Sequence, residues 1–265
     1  YECVRRYEET LRVFYLFTCC SMLNQIFNED CLEWMKRIPD GSIDCIITDP
    51  PYWSTACKWD TVIPFDLMWK ELKRIIKPNG AIVLFWSEPF SSALRMSNIK
   101  MYKYDWVWEK SKATGYLNSK IMPMWAYENI VVFWKSKLIY NPQMRKWEPY
   151  NKWTAYRPTD VYWKQVETTV KSEDWMRYPR NVVYFKTAES EWKTSHPTQK
   201  PVALIEYLIK TYTNEWETVL DFTIGSGTTA IACINTNRNY IGFELDKWYF
   251  DIANERIAWK LQNKK

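Results

Sequence analysis

The chain has 265 residues, 47% hydrophobic and 25% charged, a composition that supports one large or two small folded units with a substantial core and excludes a disordered chain. No apolar run approaches the roughly 20 residues of a membrane helix, and the single histidine, His196, excludes a His-rich metal site and leaves any Ser-His-Asp or Cys-His apparatus one residue to build on. The net charge of +5 is local: residues 135–193 hold twelve Lys/Arg against seven Asp/Glu, so the rest of the chain is neutral.

Seven cysteines without a C-x-x-C pair read as free thiols in a reducing, cytoplasmic setting. Residues 1–21 differ in character from the rest of the chain, and Met22 directly precedes LNQIFNEDCLEWM; they are expected to be an extension outside the core.

From Met22 the pattern alternates. QIF reads as a short strand, and NEDCLEWMKRI as a helix opened by an Asn or Asp cap. IDCIIT is a buried strand. PFDLMWKELKRII carries apolar residues at helical spacing, with KPNG expected to stop it. AIVLFW is a second buried strand, followed by SEPFSSALRMS as a helix with a Ser cap. YDWVWEK and ENIVVFWK read as strands. Residues 138–190 show no clear period. PVALIEYLIKTYT then predicts a helix with Pro at its start. TVLDFT is a strand, GTTAIACINT a helix, NYIGFEL a strand and DKWYFDIANERIAWKLQ a closing amphipathic helix. Strand and helix in turn predict an α/β sheet covered on both faces.

Three stretches carry chemistry. TDPPYW ends the IDCIIT strand. Neither proline can donate to a ladder, and two in succession stiffen the turn. Such a turn holds an acid, an open carbonyl and an aromatic ring in fixed relation. DFTIGSGTTA leaves a strand and opens a helix, and its glycines allow a tight turn close to a ligand. Glu244 ends the next strand, where a carboxylate accepts hydrogen bonds from ribose hydroxyls. Strand, G-x-G, helix, strand and terminal acid in about 25 residues point to an adenosine-containing cofactor. The third stretch, SHPTQKP, precedes a helix, a place where His196 is expected to serve a turn or a cap. Within 135–193, basic residues alternate with Trp147, Tyr150, Trp153, Tyr156, Tyr162, Trp163 and Tyr178; such a surface suits a polyanion whose bases stack.

Taken together, TDPPYW, SHPTQKP and DFTIGSGTTAIACINTNRNYIGFELD resemble the S-adenosylmethionine-dependent DNA amino-methyltransferases. The order, catalytic motif first and cofactor motif last, is that of the circularly permuted β class. The resemblance covers Met22 to about Lys260. It implies a Rossmann-like, mostly parallel mixed sheet of about seven strands, a methyltransferase domain over 22–265, and a target-recognition region over 135–193. It implies a catalytic set of Asp49, Pro50, Pro51 and Tyr52. Asp49 and the Pro50 carbonyl would accept the two protons of a target amine, and Tyr52 would stack on a base swung out of the duplex. Phe222, Gly225 and Gly227 would line S-adenosylmethionine, with Asp221 and Thr228 beside them, and Glu244 would hold its ribose. Asp30 would reach its adenine. Thr198 and Lys200 would meet its amino-acid end, with His196 in the same motif. No metal is required. Double-stranded DNA is the implied partner, with a homodimer and a cognate restriction endonuclease as further expectations and no membrane. Asp49 and Tyr52 favour adenine N6 over cytosine N4.

One feature of the composition stands apart: 17 Trp against 6 Gly, where average usage gives about 18 Gly. Trp53, Trp86, Trp175 and Trp216 sit where glycine is expected. Two readings are open: UGA codons that the source reads as Gly, or genuine aromatic enrichment for base stacking.

Overall fold

The computed structural model describes residues 21–51, 62–146, 148, 150–152, 170–172, 175–190 and 199–263. The first strand is β1 (Gln25–Phe27), followed by helix α1 (Cys31–Met35), β2 (Ile43–Thr48), α2 (Phe65–Ile75), β3 (Ile76–Trp86) and α3 (Phe90–Ser97). A long antiparallel pair comes next, β4 (Tyr102–Thr114) and β5 (Trp125–Phe133). Short strands β6 (Arg145–Lys146), β7 (Tyr150–Lys152), β8 (Val170–Ser172) and β9 (Met176–Arg177) lead to β10 (Val182–Phe185). The chain closes with α4 (Val202–Tyr212), β11 (Thr218–Asp221), α5 (Thr228–Thr236), β12 (Asn239–Phe243) and α6 (Lys247–Gln262).

Eight strands form one sheet in the order β1-β12-β11-β2-β3-β5-β4-β10. Every neighbouring pair is parallel except β3 with β5 and β5 with β4, so β5 alone runs backwards. The apolar runs predicted as strands are buried on both faces, as a sheet covered by helices requires. Along β3, Ala81, Val83 and Phe85 pack into the layer holding α4 and α5. Ile82, Leu84 and Trp86 enter the opposite layer, with residues of α1, α2 and α3. Each fully buried Val, Leu, Ile or Phe among these contributes about 1.5–3 kcal/mol relative to exposure.

The one acid inside IDCIIT, Asp44, is buried but fully engaged. Its carboxylate meets Lys77 Nζ at 2.5 Å and accepts from the Thr218 N–H at 2.9 Å, tying β2 to its neighbours on both sides.

The elements depart from expectation in four places. The first helix is a short turn, Cys31–Met35, that Asp30 caps through the Leu32 and Glu33 N–H groups. KPNG follows the end of α2 at Ile75, as expected of a helix stop, but β3 begins at Ile76 and takes it in, and it keeps its turn character. The register jumps from Ile43↔Ile76 to Cys45↔Ala81, so these four residues loop out of the ladder. Gly80 there passes so close to β2 that a Cβ would lie 2.5 Å from the Asp44 carbonyl oxygen. Helix α3 is preceded by Pro89, without a side-chain cap, and not by Ser. Finally, β10 lies inside the stretch read as irregular; only four residues long and half exposed, it carries too little pattern to declare itself.

The chain divides into two units, residues 142–180 and the remainder. The smaller holds the pairs β6–β9 and β7–β8, both antiparallel. It is narrower than the segment 135–193, since β10 belongs to the main sheet.

Candidate active site

In chain order β2 is followed by β3 on one side of it, whereas β11 is followed by β12 on the other. The direction of winding therefore reverses between β2 and β11. At such a point the connections leaving the two strand ends diverge and open a crevice, where ligands bind in open α/β sheets. Here the two connections begin with Asp49-Pro50-Pro51 and with the Asp221–Thr228 turn, and both line one cleft of about 190 Å³.

A chain of polar groups joins the two strand ends. Asp221 is buried. Its Oδ1 accepts from Thr48 Oγ1 at 2.7 Å, and its Oδ2 from Thr229 Oγ1 at 2.6 Å. Thr48 Oγ1 lies 2.7 Å from Thr223 Oγ1, which bonds the Asp49 carbonyl oxygen at 3.1 Å. Burial pushes the Asp221 carboxyl up to about 6, against the lowering effect of its bonds to Thr229, Thr48 and the Thr223 N–H.

The glycine turn is built as its spacing implies. Gly225 (φ 54°) and Gly227 (φ 83°) both occupy left-handed backbone. The Gly225 N–H donates to Glu244 Oε2 at 2.9 Å, while Glu244 Oε1 accepts from the Asp246 N–H at 2.8 Å. The carboxylate at the tip of β12 is thus fixed with lone pairs to spare. Burial raises its pKa, partly offset by those two N–H bonds. Gly227 does not line the cleft. It caps α5, and a Cβ there would lie 3.1 Å from Ala253 Cβ on α6; its use is close packing of turn against helix.

Among the predicted residues, Asp49, Pro50, Pro51, Asp221, Phe222 and Gly225 line the cleft. So do Thr228, Glu244, Asp30 and Lys200. Asp30 does so while its carboxylate caps α1. Lys200 turns its ammonium to Asp49 Oδ2, at 2.5 Å, and to Glu128 Oε2, at 3.4 Å. Tyr52, His196 and Thr198, like Trp53, lie outside the described residues.

Sequence reasoning passed over Thr48, Thr223, Thr229 and Glu128. The threonines stand inside or beside the quoted motifs, and a polar residue at the end of an apolar strand was the available signal. Glu128 opens ENIVVFW; nothing in one sequence ties it to Asp49.

The cleft suits a nucleoside-bearing cofactor. Apolar walls from Phe222, Ile205, Phe243 and Tyr249 can enclose a ring. Thr228 Oγ1 is buried without a hydrogen-bond partner among the described residues, and such a group calls for a polar ligand atom. Among those residues no cluster of His, Cys, Asp and Glu could hold a metal, and no helix is long and apolar enough to cross a membrane.

Trp175 (φ 56°) and Trp216 (φ 69°) adopt positive φ, the conformation that favours glycine. Trp86 does not share it: it is buried at the end of β3 and packs against Phe65 at 5.8 Å between ring centroids.

Comparison with known proteins places this architecture. A family model described as DNA methylase matches residues 43–255. The Type II methyltransferase M.HpaI of Haemophilus parainfluenzae is 28% identical over 253 residues, covering 89% of this chain and 74% of the relative. M.HinfI of Haemophilus influenzae is 27% identical, covering 89% and 69%. Among solved structures, the M1.HpyAVI–SAM complex superposes with a TM-score of 0.58 at 29% identity, covering 88% of this chain and 98% of that one. The PvuII cytosine-N4-specific DNA methyltransferase shares the fold, at 17% identity and a TM-score of 0.61, covering 90% and 91%. With the crevice, the two strand-end motifs and a family match across most of its length, the chain belongs to the S-adenosylmethionine-dependent DNA N6/N4 methyltransferases.

Proposed function

We propose that this enzyme methylates the exocyclic N6 of adenine in duplex DNA. The observation that carries the reading is that the Asp49 carboxylate lines the same cleft as the Gly225 turn and Glu244. An acceptor for a target amine and a cradle for the methyl donor therefore share one space. S-adenosylmethionine, held by the Gly225 turn, Thr228 and Glu244, supplies an activated methyl group. The protein's part is positioning. Asp49 accepts one N–H of the target amine, and the Pro50 carbonyl the other. With both protons engaged, the nitrogen lone pair is directed at the methyl carbon, and the surplus proton can leave along the Asp49 hydrogen bond. The hydrogen bond from Thr223 to the Asp49 carbonyl keeps this turn in register with the cofactor turn. Tyr52 stacks on the extruded base, and unstacking is what allows a base atom to be reached at all.

Adenine is favoured over cytosine by Asp, rather than Ser, at the first place of the motif. The segment 135–193, with its alternating basic and aromatic residues, reads the target. The Type II relatives support a restriction–modification setting with a cognate endonuclease.

Transfer of a radiolabelled methyl group to unmethylated duplex DNA, followed by nucleoside analysis, tests the reading. N6-methyladenine is expected, and Asp49→Ala should abolish it. N4-methylcytosine would overturn the base assignment, and the absence of any product the catalytic one.

A further inference from the structure

Four charged side chains line up beside the cleft. Lys110 Nζ lies 3.3 Å from Glu128 Oε1. Glu128 Oε2 lies 3.4 Å from Lys200 Nζ, which lies 2.5 Å from Asp49 Oδ2. The ammonium of Lys200 also sits 5.4 Å from the Phe85 ring centroid. Signs alternate along the row, and the side chains are only 7%, 18%, 10% and 20% exposed. Burial pushes the Glu128 carboxyl up, but the two lysines outweigh it and hold the group below the ordinary carboxylate range.

This arrangement poses a conflict that the mechanism does not resolve. Asp49 must receive a neutral amine, yet one of its oxygens already carries a cation at close range. An ammonium there draws electron density from the carboxylate and competes with the weaker donor. Lys200 cannot simply be released, because a buried charge that loses its partner is strongly disfavoured.

We infer that Glu128 is a positioning residue: it is the second carboxylate to which the Lys200 ammonium passes when the target amine enters on Asp49. The move is small. The ammonium already stands within ion-pair distance of both acids, so closing on Glu128 shortens that contact by only about 0.6 Å, a hydrogen-bond length being near 2.8 Å. The row stays neutral throughout, and Lys110 keeps Glu128 ionised and ready. No bond to carbon forms or breaks; one ion pair is exchanged for another. The inference rests on the assignment of Asp49 as the amine acceptor.

Four variants test it: Glu128→Gln, Lys200→Met, the double variant and Asp49→Asn. The DNA site is first mapped by sequencing that reports modified bases. Single-turnover transfer is then measured at saturating DNA and cofactor. Cofactor-free equilibrium binding is measured to two duplexes, one with the target base and one with purine, which lacks the amine, in its place. In Glu128→Gln the ammonium loses the second carboxylate it reaches among the described residues and stays on Asp49. Transfer is expected to slow at least tenfold with the S-adenosylmethionine Kd within twofold of the wild type. The target duplex should lose at least fivefold more affinity than the purine duplex, whereas general damage would weaken both alike. Lys200→Met removes a cleft-lining cation and so serves as the reference: the double variant should match Lys200→Met and be faster than Glu128→Gln, because without the ammonium the loss of Glu128 no longer matters. A Glu128→Gln enzyme within threefold of the wild type, or a double variant no faster than Glu128→Gln, overturns the inference while an inactive Asp49→Asn leaves the catalytic reading standing. A fully active Asp49→Asn overturns both.

Discussion

Replacing Trp216 separates backbone strain from side-chain packing. Trp216 lies in the turn between α4 and β11 with φ 69°. That turn is anchored on both sides of the residue: the Trp216 N–H donates to the Asn237 carbonyl at 2.7 Å, and its own carbonyl accepts from Asn239 Nδ2 at 2.6 Å. The left-handed backbone is therefore fixed by neighbours that a substitution leaves in place. Trp216→Gly and Trp216→Ala delete the same ring, which is 71% exposed, so losses of packing cancel in their difference. An L-residue in this region costs roughly 1–2 kcal/mol. Glycine escapes that cost but carries roughly 0.5–1 kcal/mol of extra entropy in the unfolded chain. The glycine variant should therefore exceed the alanine variant by about 1 kcal/mol. Trp259 supplies the control: it is 65% exposed in helix α6, where Ala exceeds Gly by about 0.8–1 kcal/mol. The order must reverse between the two positions. Thermal unfolding at one pH reads it as a shift of about 2–4 °C in each direction. If alanine equals or exceeds glycine at position 216, the strain argument fails. The gene tests the origin of the residue independently: UGA at 175 and 216 supports a recoded glycine, whereas UGG at 53, 86, 175 and 216 removes that reading.

Asp221→Asn should change how stability depends on pH. The native carboxyl titrates at about 6 against an ordinary value of 3.8, so the folded state holds its proton more tightly. The stabilising share is complete below about 4 and is lost as pH rises through 6, a change of about 3 kcal/mol at 1.36 kcal/mol per unit. The difference between variant and wild type should therefore move in favour of Asn from pH 4 to 7, and a flat difference refutes the burial argument. Glu244→Ala removes the acceptor proposed for the ribose hydroxyls and also frees the Gly225 and Asp246 N–H groups; the S-adenosylmethionine Kd measured by calorimetry should rise at least tenfold, about 1.4 kcal/mol or more. Gly227→Ala places a methyl 3.1 Å from Ala253 Cβ in left-handed backbone, and should cost about 2–3 kcal/mol in chemical unfolding.

The parts of the molecule that were legible are those where local chemistry decides the outcome. AIVLFW is apolar throughout and IDCIIT apolar but for Asp44 and Thr48, and a doubly covered strand buries such runs. The G-x-G turn and Glu244 were readable because the left-handed backbone at 225 and 227 leaves glycine as the unstrained choice. What stayed hidden depends on pairing across distance. KPNG has the residues of a helix stop, yet β2 draws its flanks into one strand. β10 is short and half exposed, and only β4 makes it part of the sheet. The resemblance placed Lys200 toward the cofactor, and it lines that cleft. Its ammonium also bonds a carboxylate 151 residues away, a distance no local pattern spans.

The order of the motifs has a simple physical consequence. The proposed amine acceptor and the proposed cofactor turn lie 172 residues apart, from Asp49 to Asp221 by number, but at the ends of adjacent strands, because β2 and β11 are neighbours in register at Cys45↔Val219 and Ile46↔Leu220. Winding outward in opposite directions from that pair leaves both connections on the same edge of the sheet. Chemistry at the crevice therefore depends on which strands are neighbours and not on which comes first in the chain. The buried Thr48–Asp221 hydrogen bond is where this adjacency becomes rigid, since it couples the position of one turn to the other across the seam. A change that loosens this seam should lower turnover by misaligning acceptor and donor even when each turn, taken alone, keeps its shape.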